Sequence, residues 1–150
     1  MNEISVKIAK LHSDVKIPER SSQEAACYDL RAHLSETILL KPMERRAVPT
    51  GLKVEIPEGY LLSVRPRSGL AIKEGITLIN SPGTIDSDYR GEIKVLLVNL
   101  SDKPVEIKND ERIAQLILEK ALGINWQEKT ERELSHTIRG EGGFGSTGIN

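Results

Sequence analysis

Apolar residues alternate with polar ones in short bursts along this chain: Ile4-Val6-Ile8, Val54-Ile56, Leu62-Val64 and Val105-Ile107. A period of two sets each group on one face of a strand. Proline and glycine fall between the bursts, at Pro18, Pro42, Pro49-Thr50-Gly51, Pro57-Glu58-Gly59, Ser81-Pro82-Gly83 and Pro104, so the strands are short and closely punctuated. That spacing predicts an all-β sandwich or barrel. Residues 92–100 break the alternation, because Ile93, Val95 and Leu97 share one face while Leu96, Val98 and Leu100 share the other. A strand apolar on both faces needs cover on both, and in one small domain the second cover is expected from another subunit. Residues 112–118 read as a further strand with Gln115 set among aliphatic neighbours. Ser68–Glu74 is the predicted short helix, stopped by Gly75. Residues 126–134 are the last candidate element before a polar, glycine-rich end.

Composition narrows the class. Aromatic residues make up 3% of the 150 residues, and the apolar content is mostly Ile, Leu and Val, which predicts an aliphatic, β-branched core. With 21 basic and 22 acidic residues, nothing points to a nucleic-acid polymer or a membrane surface as partner. No signal-like apolar region opens the chain, and no apolar run is long enough to span a bilayer, so a cytoplasmic protein is expected. The one cysteine, Cys27, allows no intrachain disulfide. Three histidines and one cysteine show no metal-ligand spacing. Neither GxxxxGK[ST] nor GxGxxG occurs, which excludes the Walker and Rossmann phosphate sites.

Five clusters can carry chemistry. Residues 139–150, RGEGGFGSTGIN, hold the only phenylalanine, Phe144, among glycines that prevent the segment from packing itself. An arginine for phosphate, a ring for a base, and Gly/Ser/Thr donors are the parts of a nucleotide lid; a disordered terminus is the plainer alternative. In PRSGL, Arg67, Ser68 and Gly69 stand where a strand ends and a helix begins, suited to hold phosphate or simply to cap the helix. The turn-rich segment 80–94 carries Asn80, Asp86, Asp88, Tyr89 and Arg90. Its unpaired backbone can read a flat polar ring, and Asp86 can activate a water; both aspartates also suit ordinary turns. Gln115 fits a ligand contact or a satisfied interface amide. Asp29 is most simply a salt-bridge partner.

Taken in order, AACYDL (25–30), PRSGL (66–70), NSPGTIDSDYRGEIKV (80–95), ERIAQLI (111–117) and RGEGGFGSTG (139–148) resemble the five motifs of the trimeric dUTPase family. The resemblance implies a jelly-roll (β-clip) domain over residues 1–138, a flexible lid over 139–150, and a homotrimer with sites at subunit junctions. It implies hydrolysis of dUTP to dUMP and pyrophosphate, which keeps uracil out of DNA and supplies dUMP for thymidylate synthesis. Asp86 then resembles the general base, and Tyr89 the ring under the deoxyribose that leaves no room for a 2′-hydroxyl. Asn80 and the backbone of Thr84, Ile85 and Asp86, with Lys94 nearby, resemble the uracil and sugar pocket. Arg67, Ser68, Gly69 and Gln115 resemble phosphate contacts. Arg139 with Gly145, Ser146 and Thr147 would clamp the outer phosphates while Phe144 covers uracil, the tail coming from a neighbouring subunit. Asp29 resembles the residue that holds waters around Mg²⁺, the implied cofactor. Two positions depart from the pattern: Cys27 and Asp110 stand where the family usually has glycine. A dCTP deaminase of the same fold, or an idle nucleotide-binding trimer, are the rival readings.

Overall fold

The structure is a computed structural model and describes residues 3–146; Thr147 lies outside them. Among these residues the chain forms β1 (Lys7–Lys10), β2 (Glu19–Arg20), β3 (Tyr28–Arg31), β4 (Ile38–Leu40), β5 (Arg45–Pro49), β6 (Leu52–Glu55) and β7 (Tyr60–Arg65). The helix α1 (Ser68–Glu74) follows, then β8 (Ile76–Leu78), β9 (Gly83–Ile85), β10 (Lys94–Asn99), β11 (Val105–Ile107) and β12 (Arg112–Lys120). The largest sheet has the order β2-β3-β12-β7-β9, a second runs β5-β10-β8, and β1-β6 and β11-β4 are pairs. Among the described residues the strand pairings are antiparallel, and most neighbours are distant in sequence. This is the expected all-β jelly-roll arrangement.

The core between the sheets is aliphatic. Leu30, Leu40, Val48, Val95, Leu97 and Ala114 are fully buried, with Ile76, Ile107 and Ile113 nearly so. Burying each large aliphatic side chain contributes about 2 kcal/mol, offset by the conformational entropy of ordering the chain. The predicted helix matches α1 at both ends. Gly75 closes it at φ +67°, donating its N–H to the carbonyls of Ala71 and Leu70, a conformation open to glycine at little cost.

Three expectations are corrected. Ile4 and Val6 lie outside β1, because the ladder ends with Lys7 opposite Glu55 and the next partners on the other side run into Pro57, which has no N–H to donate. On the second face of β10, Val98 is buried by the chain itself and Leu96 is half-buried, leaving Leu100 exposed. Residues 126–134 contribute only the 3₁₀ turn Glu131–Glu133, with Trp126 and Leu134 exposed, and among the described residues they pair with no strand. No helix among the described residues is long and apolar enough to cross a membrane.

Candidate functional site

The polar face of the largest sheet gathers the first group of site residues. Gln115 on β12 stands opposite Asp29 on β3 and opposite Arg65 on β7, and directly opposed residues point to the same face. A β-bulge between Arg112 and Ala114 shifts the register by one residue, so that Arg112 faces Arg31 while Ala114 faces Leu30. Without the extra residue Arg112 would point into the core side; the bulge turns it onto the Asp29 face. Its guanidinium then lies 3.1 Å from the Asp29 carboxylate, whose side chain is only 12% exposed. The salt-bridge reading of Asp29 is thus correct. Arg67 donates from Nη1 to the Arg112 carbonyl at 2.7 Å, which fixes the guanidinium beside the same face. Ser68 and Gly69 follow in the exposed first turn of α1. The N-cap position is Arg67, with no side-chain capping bond, so helix capping does not explain the Ser68 hydroxyl.

The second group sits around β9. This strand pairs with β7 on one side, Ile85 opposite Leu62 and Gly83 opposite Val64, and is the outer strand of its sheet. Its other edge therefore presents backbone donors and acceptors. Asn80 approaches that edge: a Cβ on Gly83 would lie 3.2 Å from its amide nitrogen. Ile85 is buried, so only its backbone can meet a ligand. In the loop after β9, the Asp86 carbonyl accepts the Tyr89 N–H at 3.1 Å, forming the turn that the sequence predicts. The Asp86 carboxylate is exposed and has no partner among the described residues. Tyr89 donates its hydroxyl to the Glu92 carbonyl at 3.0 Å, and its ring lies so close to Gly91 that a Cβ there would meet the phenolic oxygen at 2.3 Å. Lys94 opens β10 with an exposed side chain, opposite Pro49.

These two groups do not meet within one chain. Asp86 lies one step beyond the Leu62–Ile85 pair, whereas Arg67 and Ser68 follow the opposite end of β7. Six or seven residues of extended chain correspond to about 20 Å. Among the described residues the third group, in the tail, makes only local hydrogen bonds. Arg139 donates from Nε to the Gly142 carbonyl at 2.7 Å, and the Ser146 N–H reaches the Gly143 carbonyl at 3.0 Å. Phe144 is fully exposed and Gly145 has φ +80°.

Several supporting residues escaped the sequence reading. Arg112 borders an apolar run, but its aim depends on the bulge. Gly51 and Glu92 carry contacts between distant segments; the Pro49-Thr50-Gly51 punctuation was the only local sign of the first.

Among the described residues no three His, Cys, Asp or Glu side chains gather as a metal cage. Asp29 engages Arg112 through Oδ2, leaving Oδ1. One such oxygen fits a hard cation whose other ligands are phosphate oxygens and water.

Comparisons with known proteins bear on the family and the fold. The dUTPase family model matches residues 13–148. The chain is 52% identical over 148 residues to the deoxyuridine 5'-triphosphate nucleotidohydrolase of Fusobacterium nucleatum, covering 99% of both chains. It is 53% identical over 140 residues to the enzyme of the same name from Treponema denticola, covering 93% of this chain and 96% of the other. Among solved structures, a variant of the Staphylococcus bacteriophage 80alpha dUTPase with dUpNHpp superposes with a TM-score of 0.85 at 27% identity, covering 97% and 99% of the two chains. A dUTPase variant from phage phi11, described with a structural Mg(II) ion, shares the fold at TM-score 0.77 and 22% identity, over 87% of this chain and all of that one.

Proposed function

The chain belongs to the dUTPase family, whose reaction is hydrolysis of dUTP to dUMP and pyrophosphate, and we propose how its residues carry that reaction out. Asp86 is the general base: it removes a proton from the water that attacks the α-phosphorus, and its exposed carboxylate, without a partner among the described residues, is the observation that carries this reading. Tyr89 packs under the deoxyribose. Asn80 and the free edge of β9, from Thr84 to Asp86, pair with uracil, with Lys94 beside them. Cytosine would leave polar groups on that edge unpaired, the stronger form of discrimination.

Arg67, Ser68, Gly69 and Gln115 hold the phosphate chain by charge and hydrogen bonds. Asp29 would hold the water ligands of a magnesium ion bound with the triphosphate, which would supply positive charge toward the departing pyrophosphate. Arg139 and residues 145–147 close over the outer phosphates and Phe144 over the base, excluding water from the reacting centre. In this division residues 1–138 are the body and 139–150 the lid. A single cysteine fits action in the reducing cytoplasm.

The site is composite. A base and the phosphate contacts must address the same phosphoryl group within hydrogen-bond reach, and the separation of about 20 Å along β7 prevents one subunit from supplying both. A homotrimer solves this by setting the β9 loop of one copy against the Arg67 and Gln115 face of another, with the lid of a third. The arm supports the same assembly. In the segment that follows Ala121, which donates to the Gly59 carbonyl, the hydrogen bonds among the described residues stay within three residues. Leu122, Ile124 and Trp126 alternate along it, all exposed. A groove of about 790 Å³, lined by Ile4, Val6, Ile8, Val54 and Tyr60 among others, offers a neighbour's arm an apolar seat.

Incubation of the protein and Mg²⁺ with dUTP, dTTP, dCTP and UTP separately, following pyrophosphate and ammonia, tests the reading. Pyrophosphate from dUTP alone is expected. Ammonia from dCTP would move the protein to deamination, and silence from all four would leave only binding.

A further inference from the structure

The loop from Asp86 to Glu92 projects from the end of an outer strand, yet both its functional side chains need a set position. Its first end is held by the β9–β7 ladder. Its second end is held by a different part of the chain, the turn between β5 and β6. Thr50 donates its hydroxyl to the Ile93 carbonyl at 2.7 Å in a buried bond, and the Ile93 N–H reaches the Leu52 carbonyl at 2.8 Å. Between these lies Glu92. Its carboxylate Oε1 accepts the Gly51 N–H at 2.9 Å, while its carbonyl accepts the Tyr89 hydroxyl at 3.0 Å. One residue therefore connects the tyrosine ring to the β5–β6 turn.

The turn is a firm anchor. Gly51 is buried, has φ +70°, and would place a Cβ 2.5 Å from Val15 Cγ2. Its carbonyl accepts the Leu11 N–H at 2.8 Å, and the neighbouring Pro49 carbonyl accepts that of His33. The Tyr89 ring rests against Gly91, where any side chain would collide with it. Movement of the Glu92 backbone would move both the hydroxyl's acceptor and the surface under the ring.

We propose that Glu92 is a positioning residue: its side chain, latched to the Gly51 amide, fixes the Glu92 backbone and through it the Tyr89 ring and the Asp86 loop. The inference rests on the assignment of Tyr89 to the sugar and deepens it, because the dUTP-over-UTP preference then depends on a residue that touches no substrate. The latch needs an acceptor oxygen at the end of a Glu-length side chain and does not need a negative charge.

The test compares Glu92→Ala, Glu92→Asp, Glu92→Gln and Tyr89→Ala in the full chain, measuring kcat and KM for dUTP and UTP, melting temperature and oligomeric state. Glu92→Ala and Glu92→Asp are expected to lower kcat for dUTP about tenfold, as for one lost part-buried hydrogen bond, and to narrow the dUTP/UTP ratio of kcat/KM. Glu92→Gln keeps the acceptor and is expected to stay within about threefold of the parent in both. A merely structural residue would lower melting temperature without moving the ratio, and that result overturns the proposal. So does a Glu92→Gln variant as damaged as Glu92→Ala. If Glu92→Ala fails to fold, Glu92→Asp against Glu92→Gln decides by the same criteria. Tyr89→Ala separates the two layers: an unchanged ratio there removes the sugar assignment and this inference with it, whereas a changed ratio there beside an unchanged one in Glu92→Asp removes the inference alone.

Discussion

The β9 loop and the C-terminal arm are both exposed and both carry proposed site residues, but they are held in opposite ways. The loop is tied at each end to buried structure, through the β7 ladder and through Thr50, Gly51 and Leu52. Among its described residues the arm closes only local turns. At its 3₁₀ turn the Thr130 N–H and hydroxyl bond the Glu133 carboxylate, holding that carboxyl below its ordinary range, yet nothing there is buried. General-base chemistry requires a fixed carboxylate, whereas a lid must open to exchange nucleotide. The difference in anchoring matches the difference between the two proposed tasks.

That contrast can be broken at three points. The largest effect is expected from Asp86→Asn, which should lower kcat by about a thousandfold with folding unchanged, because an exposed carboxylate without partners contributes little to stability. Co-assembly with Arg67→Ala subunits sharpens the point. If the two residues serve one site from different copies, a randomly assembled equimolar mixture regains roughly a quarter of parental turnover, about one intact site in each mixed trimer; a mixture no more active than its components would place both in one subunit. Truncation after Gly140 comes next, with a loss of about a hundredfold in kcat/KM from the missing lid contacts. Its melting temperature should remain within about 2 °C of the parent, since the tail buries no core. A truncated protein with parental turnover would end the lid assignment.

The smallest expected effect on turnover, and the largest on stability, belongs to Gly51→Ala. The left-handed backbone and the collision with Val15 should together cost about 3 kcal/mol, or about 10 °C in melting temperature by thermal denaturation. A variant melting with the parent would show that the turn is a weaker anchor than its geometry implies. Together the three variants distinguish a body that stores stability from an arm that stores almost none.

Local chemistry made much of this legible in advance. Gly75 marked the end of α1 because a left-handed cap favours glycine. Alternation marked the strands because side chains leave a strand on opposite faces. The five motifs marked candidate residues because their side chains match phosphate, base and sugar. What remained hidden was non-local. Whether Arg112 faces Asp29 depends on a one-residue bulge that no local preference announces. Whether residues 126–134 join a regular element depends on contacts with distant segments, and among the described residues they pair with no strand. Glu92 reads as an ordinary surface carboxylate until the fold sets the Gly51 amide beside it, 41 residues away.

The sequence by itself determined the all-β class, the helix bounds and the kinds of side chain brought to the chemistry, since these follow from periodicity, backbone preference and functional groups. Only the tertiary structure decided which groups share a face, that Asp86 and Arg67 lie at opposite ends of β7, and which backbone amide holds Glu92. Those are outcomes of register and packing between distant segments, which depend on the whole chain at once.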